Sequence, residues 1–268
     1  MIARLWARHT LSLLLFWAFA LGAQAQQQEF KPSVGQSGKD VVWVPSPQTL
    51  VDRMLDMAKV TPNDFLMDLG SGDGRTVITA AKRGTRALGI EYNPDMVALS
   101  QKNAAAAGVA DKARFERADI FKTDLSKATV ITLFLLTDLN LRLRPTLLGL
   151  KPGTRVVSNT FRMGEWEPDE TSALGCDTYC TAYMWIVPAH VDGAWRSKNG
   201  DLALKQEFQM LSGSLKNGSQ STAISGRVRG DEISFTAGSA EYHGRVTGKG
   251  IEGTVKTNGA TSPWKAER

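Results

Sequence analysis

The 268-residue sequence predicts an α/β fold, a doubly wound and mainly parallel sheet followed by a small C-terminal all-β module. Three observations carry that expectation. Between residues 41 and 190 short apolar runs alternate with segments of helical periodicity, and parallel strands need such crossover connections. A glycine-rich turn, "DLGSGDGR" (Asp68 to Arg75), joins the first apolar run to the helix after it, at the edge where sheets of this kind bind ligands. From Val191 onward the pattern changes to short alternating strands separated by Gly, Asn and Asp turns.

Taken in order, Arg4 and Arg8 precede the apolar run "LSLLLFWAFAL" and the small-x-small site "AQA", a signal-peptide pattern over residues 1–25. About eleven apolar residues fall short of the roughly twenty that a permanent span needs. No stable transmembrane span is expected once the signal is cleaved. The protein is therefore expected to be exported, periplasmic or, if uncleaved, membrane-anchored facing the periplasm. Residues 26–40 are polar and read as a linker. In "VVWVPSPQTLVDRMLDMAKV" Pro45 and Pro47 impose an extended turn, and Val51, Met54, Leu55 and Ala58 then recur at helical spacing. "FLMDLG" is a strand, "RTVITAAKRG" a helix closed by Gly84, and "ALGIEY" a second strand. "PDMVALSQKNAAAAG" is a helix with Pro94 in its first turn and Gly108 at its end. "ARFERADI" and "ATVITLFLL" are the third and fourth strands, "NLRLRPTLLGL" a helix interrupted at Pro145, and "TRVVSNTF" the fifth strand. Residues 191–268 contain an echo, "GRVRGDEI" and "GRVTGKGI", as two hairpins of similar build would. So short a module has a marginal core and is expected to pack against the larger domain. Its Trp195, Tyr242 and Trp264 could line a sugar or lipid site but read first as core.

Composition excludes some classes. At 42% hydrophobic and 22% charged residues the chain is globular, and its net charge of +5 comes without a basic cluster, so no nucleic-acid partner is expected. Cys176 and Cys180 are spaced to close a small disulfide loop in an oxidising compartment or to remain thiols. His9, His190 and His243 offer no ligand spacing near them, so no metal site is expected.

The glycine turn points to a ligand. A dinucleotide fingerprint needs G-x-G-x-x-G, whose third glycine falls at position 75; that residue is Arg75, and the glycine stands at Gly74. Asp68 and Asp73 would repel a pyrophosphate and attract a ligand carrying a sulfonium and an ammonium. S-adenosylmethionine is such a ligand. Glu91, closing the second strand, stands at the same edge of the predicted sheet.

On these residues "DLGSGDGR" resembles the first motif of class I S-adenosylmethionine-dependent methyltransferases, whose fold is Rossmann-like. The resemblance implies cofactor contacts from Asp68, Gly70, Ser71, Gly72, Gly74 and Glu91, from Asp119 in "RADIF" to the adenine amino group, and from Ile120 as an apolar wall. A narrower resemblance runs over about residues 41–170. "VPSPQTLVDRMLDMA", "DLGSGDGR", "GIEYNP", "ADIFKTDLS" and "RVVSNTF" are similar to the lysine methyltransferases acting on the c-ring protein of ATP synthase and on the adenine nucleotide translocase. It implies N-methylation of a protein lysine or another amine, membrane-associated acceptors included, with Pro45 lying over the cofactor. "FLLTDLN" lacks the Asn-Pro-Pro-Tyr signature of many amide and nucleobase N-methyltransferases, which argues against those acceptors. Thr137, Asp138 and Asn140 are polar there, and none is assigned a catalytic role, because positioning of a neutral amine can supply most of the rate. The β module lies outside the resemblance. S-adenosylmethionine is made in the cytoplasm whereas the N-terminus predicts export. The alternative expectation is therefore an exported, non-catalytic small-ligand-binding or envelope-interaction protein on the same fold.

Overall fold

The computed structural model describes residues 30–175 and 178–268. The expected signal peptide, the start of the linker and Cys176, where the sequence leaves a disulfide or a thiol open, lie outside the described residues.

Strands β1 (Phe65–Leu69), β2 (Arg86–Glu91), β3 (Ala113–Arg117), β4 (Val130–Leu133) and β5 (Arg155–Asn159) form a parallel sheet in the order β3-β2-β1-β4-β5. The order reverses at β1, so the carboxyl ends of β1 and β4 open a crevice. Helix α1 (Gln48–Met57) precedes the sheet, and α2 (Arg75–Lys82), α3 (Pro94–Ala106) and α4 (Thr137–Leu148) are its crossovers. Asn93 caps α3 by accepting from Asp95 N at 2.9 Å, with Pro94 at the first helical position. Two cores result. One buries Leu50, Leu55, Leu66 and Val77 under α1–α3; the other buries Met67, Leu69, Leu143 and Trp185 on the α4 side.

Several expectations are corrected. β3 ends at Arg117 and β4 at Leu133, so Asp119 and Phe134 stand on loops beyond the sheet. Pro145 does not interrupt α4; it sits in the last turn, where its missing N–H removes a single helical bond. Two further strands were not anticipated. β7 (Thr181–Ile186) runs antiparallel to β5, and β6 (Glu170–Ala173) caps it at the edge. β6 is short and polar, as an exposed edge tolerates, and carries no apolar run to betray it.

Residues 193–267 form a closed eight-stranded antiparallel barrel of β8 (Gly193–Ser197), β9 (Gly200–Glu207), β10 (Met210–Asn217), β11 (Gln220–Arg229), β12 (Glu232–Ala237), β13 (Ala240–Thr247), β14 (Gly250–Thr257) and β15 (Ala260–Glu267). Strict alternation places Trp195, Leu204, Phe235, Tyr242, Val255 and Trp264 inside. Phe235, Tyr242 and Trp264 stack at centroid distances of 4.6–5.6 Å, so the interior is filled by side chains. The barrel is docked on the sheet domain by Ala189 N donating to Gly230 O at 2.7 Å and Gln209 Nε2 to Glu167 O at 2.8 Å. Arg227 also pairs with Asp169, whose buried carboxylate accepts from Ile186 N at 2.8 Å.

Candidate active site

The chain leaves β1 after Asp68 and reaches α2 through a turn in which Gly70, Gly72 and Gly74 hold φ angles of 82°, 54° and 83°. L side chains resist that left-handed run. Stripped of side chains, such a loop could bare its amides to a ligand, but here they turn inward. Gly70 and Ser71 donate to Ile90 O at 2.8 and 3.1 Å, Gly72 to Glu91 Oε2 at 3.0 Å, and Gly74 to Ser71 O at 2.9 Å. With those donors spent on the protein, the loop offers mainly carboxylates and carbonyls. Such a lining suits a cation and is a poor cradle for a pyrophosphate.

Asp68, Gly70, Ser71, Gly72, Glu91, Asp119 and Ile120 line one pocket; Gly74 stands behind it. A Cβ on Gly74 would lie 2.7 Å from both Ser100 and Phe115, so its bareness serves the packing of α3 and β3. A Cβ on Gly72 would lie 2.7 Å from Trp43 Nε1, because a small hairpin covers the loop. That hairpin is closed by Trp43 N donating to Gln36 O and Gly35 N to Trp43 O, both at 2.9 Å. Its residues 36–40, expected as linker, are part of the pocket wall, and Val44, Pro45 and Ser46 continue it.

The carboxylates differ in state. Asp68 is fully buried at the floor, and burial first, then the neighbouring Glu91 and Asp73, pushes its pKa up to about 7. Thr132 Oγ1, donating at 2.6 Å, and Thr76 oppose the rise without cancelling it. Glu91 is held by the amides of Gly72 and Asn93 at 3.0 and 2.9 Å. Asp119 accepts from Lys39 Nζ at 2.8 Å and from Phe121 N at 3.0 Å, and the Lys39 hydrogen bond holds its carboxyl below the ordinary range. Lys39 also lies 4.6 Å over the ring of Tyr92. Arg75, in place of a third dinucleotide glycine, forks onto Asp73 at 2.6 and 3.0 Å and donates to Ser46 O at 2.7 Å. It ties the glycine loop to the covering segment.

Leu133, Phe134, Leu135 and Leu139 make the wall opposite. Thr137 and Asp138 are exposed and do not line the pocket. Asn140 is buried and pins α4 to the exit of β5 through Phe161 O at 3.1 Å. Sequence reasoning missed Lys39, Trp43 and Tyr92. A tryptophan next to the V-P-x-P segment was the available signal, since that side chain is seldom left in water. Among the described residues no group of His, Cys, Asp and Glu is placed to hold a metal, and no helix is long and apolar enough to cross a membrane.

The cofactor expectation is tested by this lining: five carboxylates (Asp40, Asp68, Asp73, Glu91 and Asp119), loop amides engaged within the chain, and an apolar wall fit a nucleoside that carries a positive sulfonium. A model of the ANTKMT methyltransferase domain matches residues 68–170. A protein-lysine N-methyltransferase of Saccharolobus islandicus is 41% identical over 154 residues, which cover 56% of this chain and 96% of that one. The chain belongs to this methyltransferase family. It is an S-adenosylmethionine-dependent methyltransferase, and the non-catalytic alternative finds no support. The mouse adenine nucleotide translocase lysine N-methyltransferase is 32% identical over 195 residues, 71% of this chain and 78% of that one. The mouse lysine N-methyltransferase named for the c-ring protein of ATP synthase is 40% identical over 114 residues, but the match spans only 46% of its length. Among solved structures, an RNA methyltransferase from Salinibacter ruber in complex with S-adenosylhomocysteine shares 51% identity with a TM-score of 0.53, covering 55% of this chain and 96% of that one. The family's methyltransferase fold is the seven-stranded sheet described above. The Saccharolobus relative, matched almost end to end by 154 residues, is too short to carry both this sheet domain and the barrel.

Proposed function

We propose that the chain transfers methyl groups from S-adenosylmethionine to the side-chain amine of a protein lysine. The observation that carries this reading is the pocket in which carboxylates line one side and the apolar end of β4 the other, in a chain whose relatives are named for lysine methylation. Asp68 would face the cofactor's cationic end, Glu91 its ribose, and Asp119 with Ile120 its adenine, once Lys39 yields the carboxylate. Gly70, Ser71, Gly72 and Gly74 shape the loop beneath. Bound there, the cofactor would supply an electrophilic methyl group to the neutral amine, with the thioether as leaving group and the amine's proton lost to water. Leu133, Phe134 and Leu135 desolvate the incoming amine, and desolvation lowers the pKa of an ammonium, so the neutral nucleophile is favoured where it must react. Alignment then supplies much of the rate, without a dedicated base.

An RNA acceptor, which the Salinibacter structure's name raises, finds less support in the charges. Arg75, which lines the pocket, is engaged by Asp73, and Arg53, Arg144 and Arg162 pair with Glu170, Glu165 and Glu167. Phosphate backbones need such groups available. The signal-peptide pattern further supports export of the mature chain, and fractionation of cells into periplasm and cytoplasm tests that directly.

The deciding experiment incubates the protein with methyl-labelled S-adenosylmethionine and, separately, with envelope protein and total RNA. We expect label in protein, on lysine by mass spectrometry, and its loss in Glu91→Ala together with a tenfold or greater fall in S-adenosylhomocysteine affinity. Label in RNA alone would overturn the lysine reading.

A further inference from the structure

Outside the pocket, three aromatic rings meet at the carboxyl end of the sheet without belonging to either core. Phe134, beyond β4, lines the cofactor pocket on one side. On the other it meets Tyr179 at a centroid distance of 5.2 Å, edge to face, and Phe161 at 6.2 Å, nearly parallel; Phe161 and Tyr179 lie 6.5 Å apart. Phe134 and Phe161 are half-buried and Tyr179 is 39% exposed. The three form a continuous ledge that starts at the pocket and ends in water.

The backbone is bent to build it. Thr160 holds φ 63° and Tyr179 holds φ 57°, left-handed values that cost a non-glycine residue on the order of 1 kcal/mol or more, the β-branched threonine above all. Thr160 N donates to Thr181 O at 2.6 Å, joining the two strained segments, and Thr160 Oγ1 donates to Asn159 Oδ1 at 2.8 Å. Asn159 Nδ2 donates in turn to Ser46 Oγ at 3.0 Å, on the pocket wall. The strained turn is thus fastened to the pocket wall by hydrogen bonds, the Asn159–Ser46 bond buried. Elsewhere in the chain, several exposed or partly exposed rings carry a cation of the protein: Lys39 over Tyr92, Arg142 over Phe121, Arg144 over Phe208, Arg162 over Tyr183. Among the described residues no cation of the chain stands over the ledge.

We propose that Phe134, Phe161 and Tyr179 are the seat of the acceptor amine. The aliphatic stem of the lysine lies across the rings and its ammonium, or a methylated ammonium, rests on a ring face at the pocket edge. The inference rests on the protein-lysine reading above. A ring face attracts an alkylammonium by about 0.5–2 kcal/mol, more as it is desolvated, and tolerates added methyl groups, which a carboxylate partner would not favour. Partly methylated lysine is held as well as the unmodified side chain, so the same ledge serves successive transfers.

The test uses two probes against the full-length protein saturated with S-adenosylhomocysteine: N-acetyl-trimethyllysine methylamide and its neutral isostere with carbon in place of the quaternary nitrogen. Binding is read by saturation-transfer NMR and titration. We expect the cationic probe to bind at least fivefold more tightly than the neutral one. We expect Tyr179→Leu and Phe161→Leu to abolish that preference while leaving S-adenosylhomocysteine affinity within twofold, and Tyr179→Phe to retain it. Equal binding of both probes, or a preference unchanged in the leucine variants, overturns the seat and leaves the methyltransferase reading standing. Displacement of the cationic probe by a mixed-sequence single-stranded RNA would instead assign the rings to base stacking and overturn it too. Failure of S-adenosylhomocysteine to bind the unmodified protein at all would strike the underlying cofactor site instead.

Discussion

Asp68 sets the electrical character of the pocket. Burial has raised its pKa to about 7, far above that of an unfolded aspartate, so near neutrality it is half protonated and poised to lose that proton to an incoming positive charge. Cofactor affinity should therefore rise with pH through 7, by about eightfold between pH 6 and 7.5 for a single group of that pKa. Titration calorimetry across those values, with Asp68→Asn flattening the profile, checks this. The same shift acts on folding with the opposite benefit. The folded chain keeps the proton up to about pH 7 whereas the unfolded chain releases it near 4, so this group favours folding below about pH 4 and progressively ceases to as pH climbs to 7. Without cofactor, Asp68→Asn should then melt higher than the parent at pH 8, by up to about 4 kcal/mol in stability. Asp68 and Glu91 were legible as acids at strand ends. Nothing in their spacing told that Glu91 would consume the Gly72 amide, because that hydrogen bond depends on how the loop folds back over the neighbouring strand.

At the scale of elements, the parallel strands and their helices were readable because buried strands announce themselves as apolar runs and helices by their period and caps. β7 carries such a run in "TAYMWIV" and was overlooked only because it follows a polar stretch and breaks the strand–helix alternation. The covering hairpin was not readable: its polar residues satisfy each other through main-chain bonds that composition does not encode. Its consequence is testable at Gly72. Gly72→Ala forces a side chain onto a φ of 54° and drives its Cβ to 2.7 Å from Trp43 Nε1, so the hairpin must move. We expect a loss of about 1–3 kcal/mol in stability and at least a tenfold weaker cofactor affinity. Trp43→Ala relieves the contact but not the backbone, and the double variant should recover only part of either loss. Full recovery would show that the steric contact alone had mattered.

For the whole molecule, two architectures share one chain, and the barrel was legible as strands and turns but not as a closed ring. Closure depends on pairing between β8 and β15, the first and last strands of the module, which no local pattern reports. Trp264, 1% exposed, stands at the centre of the barrel's aromatic stack. Trp264→Ala should cost about 3–5 kcal/mol, read as a lower unfolding midpoint, while S-adenosylhomocysteine titration at a temperature where the protein is still folded should be unchanged. A parallel loss of cofactor affinity would mean that barrel and sheet are coupled through the docking contacts at Gly230, Gln209 and Arg227.

The ring is fastened by a narrow clasp. β15 meets β8 at two residue pairs, Ala266 with Ser197 and Glu267 with Arg196, and Arg268 adds bonds to Lys249 O and Asp192 O and a guanidinium 4.3 Å over Trp195. Loss of Ala266, Glu267 and Arg268 would therefore unfasten the barrel, turning a ring with no open strand into a sheet with two adhesive edges. Any affinity tag is better carried away from that end.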